Sequence, residues 1–161
     1  MNQPRNVHAT GLVLDGLGLI LRGPSGAGKS LLALELLDQW EARGRPGMLV
    51  SDDRIDIAVE AGALVMSAPP QIAGLVELRG RGIVTRPYVA RAPLHLVVDL
   101  VPVLERMVEE SALETELEGV LIARCPVPQA GIIDSRHQLL LIGEALRSLA
   151  GNKPVARQKG T

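Results

Sequence analysis

Short apolar runs separated by glycine and proline alternate along this chain with two stretches of helical period. Val7 to Leu14 suits a strand, Asp15-Gly16 marks a hairpin turn, and Leu17 to Arg22 returns as a second strand. Leu31, Leu32, Leu34, Leu36 and Leu37 then predict a helix from Lys29 to Ala42 that ends near Gly44 and Pro46, with Trp40 packing from its last turns. Gly47 to Val50 is a short apolar strand that delivers Asp52 and Asp53 at its carboxyl end. Arg54 to Val59 and Ala63 to Ser67 alternate around Glu60-Ala61-Gly62 as a hairpin. Gln71 to Leu78 is expected to form a short helix leading into a glycine-punctuated loop. Ile83 to Ala90 and Leu94 to Leu100 read as two further strands. The acidic stretch 105–119 is expected to be helix turning into an edge hairpin, with a solvated face. Val120 to Ala123 is a strand, and Pro126, Pro128 and Gly131 mark a loop. A closing amphipathic helix runs from Asp134 to Ala150, capped by Asp134 or Ser135. This order predicts an α/β fold, a mixed β-sheet flanked by helices.

Composition narrows the class. A chain of 161 residues with 47% apolar content supports one domain, expected over 1–151, followed by a polar, basic tail at 152–161 expected to be disordered. The formal charge of −1 and pI near 6.3 give no overall attraction to nucleic acid or to an acidic membrane surface, so any anion site must be local. No apolar run is long enough to cross a bilayer, and the start MNQPRNVHAT lacks the pattern of a secretion signal, so a cytoplasmic location is expected. Cys125 is the single cysteine, which rules out an internal disulfide, and its apolar neighbours predict a buried thiol. Phenylalanine is absent and Trp40 and Tyr88 are the only aromatics, so the core must be aliphatic and base stacking on an aromatic platform is disfavoured.

The stretch Gly23-Pro24-Ser25-Gly26-Ala27-Gly28-Lys29-Ser30 matches the phosphate-binding pattern G-x-x-x-x-G-K-[ST] at every fixed position, with a strand ahead and a helix behind. Its glycines let the backbone turn amide hydrogens inward on a phosphate chain, and the helix adds its free N–H groups and dipole. Lys29 supplies a cation for the outer phosphates, and the Ser30 hydroxyl is the expected magnesium ligand. Such a loop (P-loop) binds a nucleoside triphosphate or pyrophosphate.

Other candidates follow from placement. Successive strand residues point opposite ways, so one of Asp52 and Asp53 can face the phosphates while the other turns away. Asp99 also ends an apolar run and competes with both for a metal. Arg79-Gly80-Arg81-Gly82 suits a flexible segment that closes on anions. His8 lies near the start of a strand, His95 inside an apolar run as a structural histidine, and His137 in the first turn of the last helix.

Three motifs together resemble the catalytic domain of HPr kinase/phosphorylase: His8 followed by Gly16, Gly18 and GPSGAGKS; the strand ending in Asp52-Asp53; and Glu77-Leu78-Arg79-Gly80-Arg81-Gly82-Ile83, which looks like the family signature E-[IL]-R-G-x-G-[IL]. The resemblance covers residues 7 to about 90 and implies the HPr kinase/PEP carboxykinase-like fold. It implies ATP and Mg²⁺, and a serine of an HPr-like phosphocarrier protein as acceptor. Asp52 would be the acid/base and Lys29 would hold phosphates. Ser30 with Asp53 or Glu77 would surround the magnesium, His8 would lie near the transferred group, and Arg79 would bind anions or protein. It further implies a homo-oligomer, a hexamer in the family, and a likeness to the short form of some proteobacteria that has no amino-terminal domain. The family's later arginine-rich segment is not matched around Pro126 to Gly131.

Two other readings fit the loop: a nucleotide-sensing module without transferase activity, and a small-metabolite kinase. A switch GTPase is disfavoured because no N-K-x-D motif follows.

Overall fold

In the computed structural model, which describes residues 3–151, the chain begins by crossing between two sheets. Strand β1 (Arg5–Val7) pairs antiparallel with β5 (Ile55–Glu60), whereas β2 (Ala9–Leu14), one residue later, pairs with β3 (Leu17–Arg22) and β4 (Gly47–Ser51). The single strand expected from Val7 to Leu14 is therefore interrupted at His8. The Asp15-Gly16 turn takes φ values of 56° and 79°, the positive pair that a two-residue hairpin requires.

The larger sheet has six strands in the order β11-β12-β10-β3-β2-β4, where β10 is Leu96–Val101, β11 is Glu114–Leu117 and β12 is Val120–Pro128. Its centre is parallel: β10 runs with β3 on one side and β12 on the other. One face carries helices α1 (Lys29–Ala42) and α2 (Ser135–Gly151), sealed by Leu12, Leu19, Leu21, Leu36, Trp40 and Ile142. The other face packs on a four-stranded sheet, β1-β5-β6-β9, with β6 at Ala63–Ser67 and β9 at Arg91–Pro93. Ile20, Val50, Ile55, Ile57, Met66 and Val97 fill that second core. Because β3 is buried on both faces, its residues Leu17 to Leu21 are all apolar, and only the last, the half-buried Arg22, is charged.

Gly18 shows how tightly the layers meet. A Cβ there would stand 1.9 Å from the Pro93 carbonyl oxygen and 2.9 Å from Met66 Cε. Gly18→Ala is therefore expected to destabilise the fold by about 2–4 kcal/mol, and a melting-temperature drop of roughly 6–12 °C in calorimetry checks it.

The expected helix at Gln71–Leu78 is instead a single 3₁₀ turn, Pro70–Ile72, followed by β7 (Leu75–Leu78), which pairs with β8 (Gly82–Thr85). Gly74, at φ 77°, sits under the Tyr88 ring, where a Cβ would meet Cδ1 at 2.7 Å, and this breaks any helix. Val76 is buried while Leu75 and Glu77 are exposed, the period of a strand. The Ile83–Ala90 strand stops at Thr85 ahead of Pro87. The segment expected to be helical before the edge strand is irregular from 102 to 109, with bends at 102, 106 and 107, and a 3₁₀ turn follows at Glu110–Leu113. The expected loop at Pro126–Pro128 belongs to β12; β11 pairs only with 120–123, so these prolines lie where the strand has one neighbour. The tail expectation, 152–161, lies outside the described residues. No helix among the described residues is long and apolar enough to cross a membrane.

Candidate active site

The phosphate loop joins β3 to α1 at the carboxyl edge of the parallel strands. Gly26 and Gly28 take φ values of 85° and 95°, conformations that cost a side-chain-bearing residue energy. Lys29 is nearly buried and its Nζ donates to the carbonyl oxygens of Gly23 (2.8 Å) and Pro24 (3.2 Å), closing the loop on itself. A triphosphate entering the loop offers the same ammonium stronger, charge-assisted partners.

Asp52 follows β4, beside a bulge in the β2–β4 pairing at Gly11/Leu12. It is buried, and its Oδ1 accepts hydrogen bonds from Ser30 Oγ at 2.7 Å and Thr10 Oγ1 at 3.1 Å. Its Oδ2 receives only a long contact, 3.3 Å, from the Glu77 backbone N–H. One oxygen is thus spent on orientation, and the other is left the freer proton acceptor. Ser30 points its proton at Asp52, which leaves the hydroxyl lone pairs for a cation.

Asp53 adopts φ 71°, a conformation held by its backbone N–H donating to Thr10 Oγ1 at 3.0 Å. That turn sends its side chain to His8, whose Nε2 lies 2.5 Å from Asp53 Oδ1 at the exposed rim. Thr10 therefore sets both acids. It is a fully buried threonine in an apolar strand, and its only signal in the sequence was a hydroxyl needing a partner.

These groups share one cavity of about 710 Å³, lined by His8, Lys29, Ser30, Asp52, Asp53 and Glu77 among others. Ser25, Gly26 and Gly28 of the loop also line it. Arg79 reaches it from the tip of the β7–β8 hairpin, and Arg54, not singled out in the sequence, completes the basic side. Gly80, Arg81 and Gly82 shape that hairpin tip but are not among the lining residues, nor are Gly23, Pro24 and Ala27. Gly80 and Gly82 take φ of 93° and 120° there. Leu75, Leu78 and Ile83 add an apolar wall.

Asp99 stands apart. Arg22 donates to both its oxygens (Nε to Oδ1 at 2.8 Å, Nη2 to Oδ2 at 2.9 Å) and Arg124 Nε donates to Oδ2 at 2.6 Å, so the carboxylate is already neutralised by two guanidiniums whose charge opposes a metal ion. Burial pushes the Asp99 pKa up, but the hydrogen bonds and charges of the two arginines outweigh it and hold the carboxyl below its ordinary value. A depressed folded pKa means that Asp99 contributes its stability above the ordinary value of 3.8 and loses it as pH falls through the lower folded one. The stability difference between the wild type and Asp99→Asn is expected to be about 2 kcal/mol near neutrality, the scale of hydrogen bonds to a charged group, and to narrow below pH 4; urea midpoints across pH 2–7 check this.

His95 accepts a hydrogen bond at Nδ1 from the Gly18 N–H at 2.9 Å and tethers β3, the structural place its sequence context predicts. Cys125 is buried, and desolvation, against the opposing charge of Arg124, pushes its thiol up to about 11, which leaves no nucleophile there.

A family model described as the HPr Serine kinase C-terminal domain matches residues 1–132. An HPr kinase/phosphorylase from Lacticaseibacillus casei (strain BL23) is 38% identical over 81 residues, covering 50% of this chain and 24% of that protein. One from Clostridium tetani (strain Massachusetts / E88) is 40% identical over 79 residues, covering 48% and 24%. The matched stretch thus spans about a quarter of these curated relatives. The solved Hpr(Ser) kinase/phosphatase from Coxiella burnetii superposes with a TM-score of 0.74 at 28% identity, over 91% of this chain and 90% of that one.

Proposed function

Because this chain belongs to the HPr serine kinase C-terminal domain family, we propose that it transfers the γ-phosphoryl group of ATP to a serine hydroxyl on an HPr-like phosphocarrier protein. The observation that carries the reading is the 2.7 Å hydrogen bond from Ser30 to Asp52. It joins the phosphate loop to a buried carboxylate in the cavity that an acceptor hydroxyl must enter.

In the forward direction Asp52 Oδ2 takes the proton of the acceptor serine as its oxygen bonds to the γ-phosphorus. The bond from that phosphorus to the bridging oxygen of ADP breaks. Lys29, released from the Gly23 and Pro24 carbonyls, and the loop amides neutralise the outer phosphates. His8, held by Asp53, and Arg79 line the approach of the acceptor. In the reverse direction inorganic phosphate attacks the phosphoserine phosphorus, pyrophosphate forms, and protonated Asp52 returns its proton to the leaving serine oxygen.

Ser30, Asp53 and Glu77 all line the cavity, and their hard oxygen donors are of the chemistry that suits Mg²⁺, although no cluster of three or more His, Cys, Asp or Glu side chains is preassembled for a metal among the described residues. When bound there, magnesium would supply counter-charge to the β- and γ-phosphates.

The test is ADP release in a coupled assay with and without the carrier protein. Release that depends on the carrier, and vanishes when its acceptor serine is replaced by alanine, supports the proposal. Equal ADP release without the carrier contradicts it.

A further inference from the structure

The Arg22–Asp99–Arg124 cluster takes no part in the transfer just described, yet it sits at the base of the phosphate loop. In the sheet register Asp99 of β10 stands opposite Arg22 of β3 and Pro126 of β12. Arg22 is the residue immediately before Gly23, and Leu100 is the residue immediately after Asp99. Leu100 presses on the loop itself: a Cβ added to Gly23 would meet Leu100 Cβ at 3.0 Å. One two-residue step of β10 therefore grips both the last residue of β3 and the first of the loop. The Gly23 carbonyl, held in this way, is the one that accepts from Lys29 Nζ at 2.8 Å.

The cluster also reaches outward. Arg124 Nη1 donates to the Ala112 carbonyl at 2.9 Å and so anchors the turn that ends the 102–111 segment, in which every residue is exposed. Two guanidiniums on one partly buried carboxylate are costly to desolvate, and apolar side chains can stabilise such a place equally well. What the charged cluster supplies that apolar packing does not is a fixed geometry: Arg22 bonds both oxygens in a planar fork.

We propose that Asp99 is a positioning residue for the phosphate loop, fixing Arg22 and with Leu100 the position of Gly23, and hence of the loop that faces the nucleotide. The proposal rests on the phosphate-loop reading above, but its first test needs no nucleotide.

Hydrogen exchange of the full ligand-free chain is compared for the wild type, Asp99→Asn and Asp99→Glu. Asp99→Asn is expected to speed exchange across Arg22–Leu31 about tenfold beyond any change in the remote β5–β6 hairpin, which registers the loss of global stability, with Asp99→Glu restoring most of the protection. Arg22→Gln, which leaves Asp99 paired with Arg124, is the second variant should the first fold poorly, and the same pattern is expected. In a parallel titration ATP should bind Asp99→Asn about tenfold more weakly. Asp15→Asn, which breaks the remote pair with Arg45, should leave ATP affinity unchanged.

Loop exchange that stays at the wild-type rate, or that rises no more than in β5–β6, overturns the proposal. So does unchanged ATP affinity in Asp99→Asn. A wild type that fails to bind ATP at all contradicts the proposed function instead, while the exchange pattern still decides the role of Asp99.

Discussion

Asp52→Asn is expected to lower phosphoryl transfer at least about a thousandfold, the upper part of the range for losing a positioned base, while ATP affinity changes by less than about threefold. The geometry makes this substitution unusually clean. The amide oxygen can still accept from Ser30 and Thr10 where Oδ1 now does. Only Oδ2 becomes an NH₂ group, which cannot take a proton and which faces the Glu77 N–H as a second donor. Initial rates of carrier phosphorylation, measured beside equilibrium ATP binding, separate the two effects. Transfer that survives in Asp52→Asn but disappears in Asp53→Asn would move the base to the His8–Asp53 pair, whose contact at the cavity rim is the alternative acceptor.

Lys29→Met should fail in both measurements. The side chain is nearly buried, and methionine can fill its aliphatic path but can neither close on Gly23 and Pro24 nor reach phosphate oxygens with charge. Losing a desolvated charge-assisted contact of this kind weakens nucleotide binding roughly thirtyfold or more, and transfer falls by a further factor of roughly a hundred because charge builds on the outer phosphates as the bond breaks. Isothermal titration with ATP and single-turnover transfer at saturating ATP check the two parts. Full affinity with lost transfer would place Lys29 in the chemical step alone. Full transfer would remove it from the site.

The parts of the fold that were legible in the sequence are those whose causes are local. Asp15-Gly16 needs only two positive φ values to turn β2 into β3, and a leucine period with Gly44 and Pro46 behind it is enough to bound α1. The phosphate loop is likewise a continuous eight-residue pattern. What the sequence misplaced depends on partners far along the chain. Gly74 breaks a helix because the Tyr88 ring lies over it, and Pro126 and Pro128 can stay in a strand because β11 stops short of them. His8 looks like the start of a strand and is in fact the step between two sheets, which is what lets it meet Asp53.

The site shows the same division. An apolar run ending in aspartate reads alike at Asp52 and Asp99. The neighbours decide: Asp52 meets two hydroxyls beside the phosphate loop, and Asp99 meets two guanidiniums from flanking strands. Thr10 was invisible as a functional residue because its role depends on β2 lying next to β4, a pairing of residues 42 and 43 positions apart.

The most direct test of the account is the intact mass of an HPr-like phosphocarrier protein after incubation with this chain, magnesium and ATP. The account predicts the gain of one phosphoryl group, located on serine, and its removal with release of pyrophosphate when inorganic phosphate is added. A carrier whose mass does not change, in the presence of a chain that binds ATP through Lys29, would contradict it.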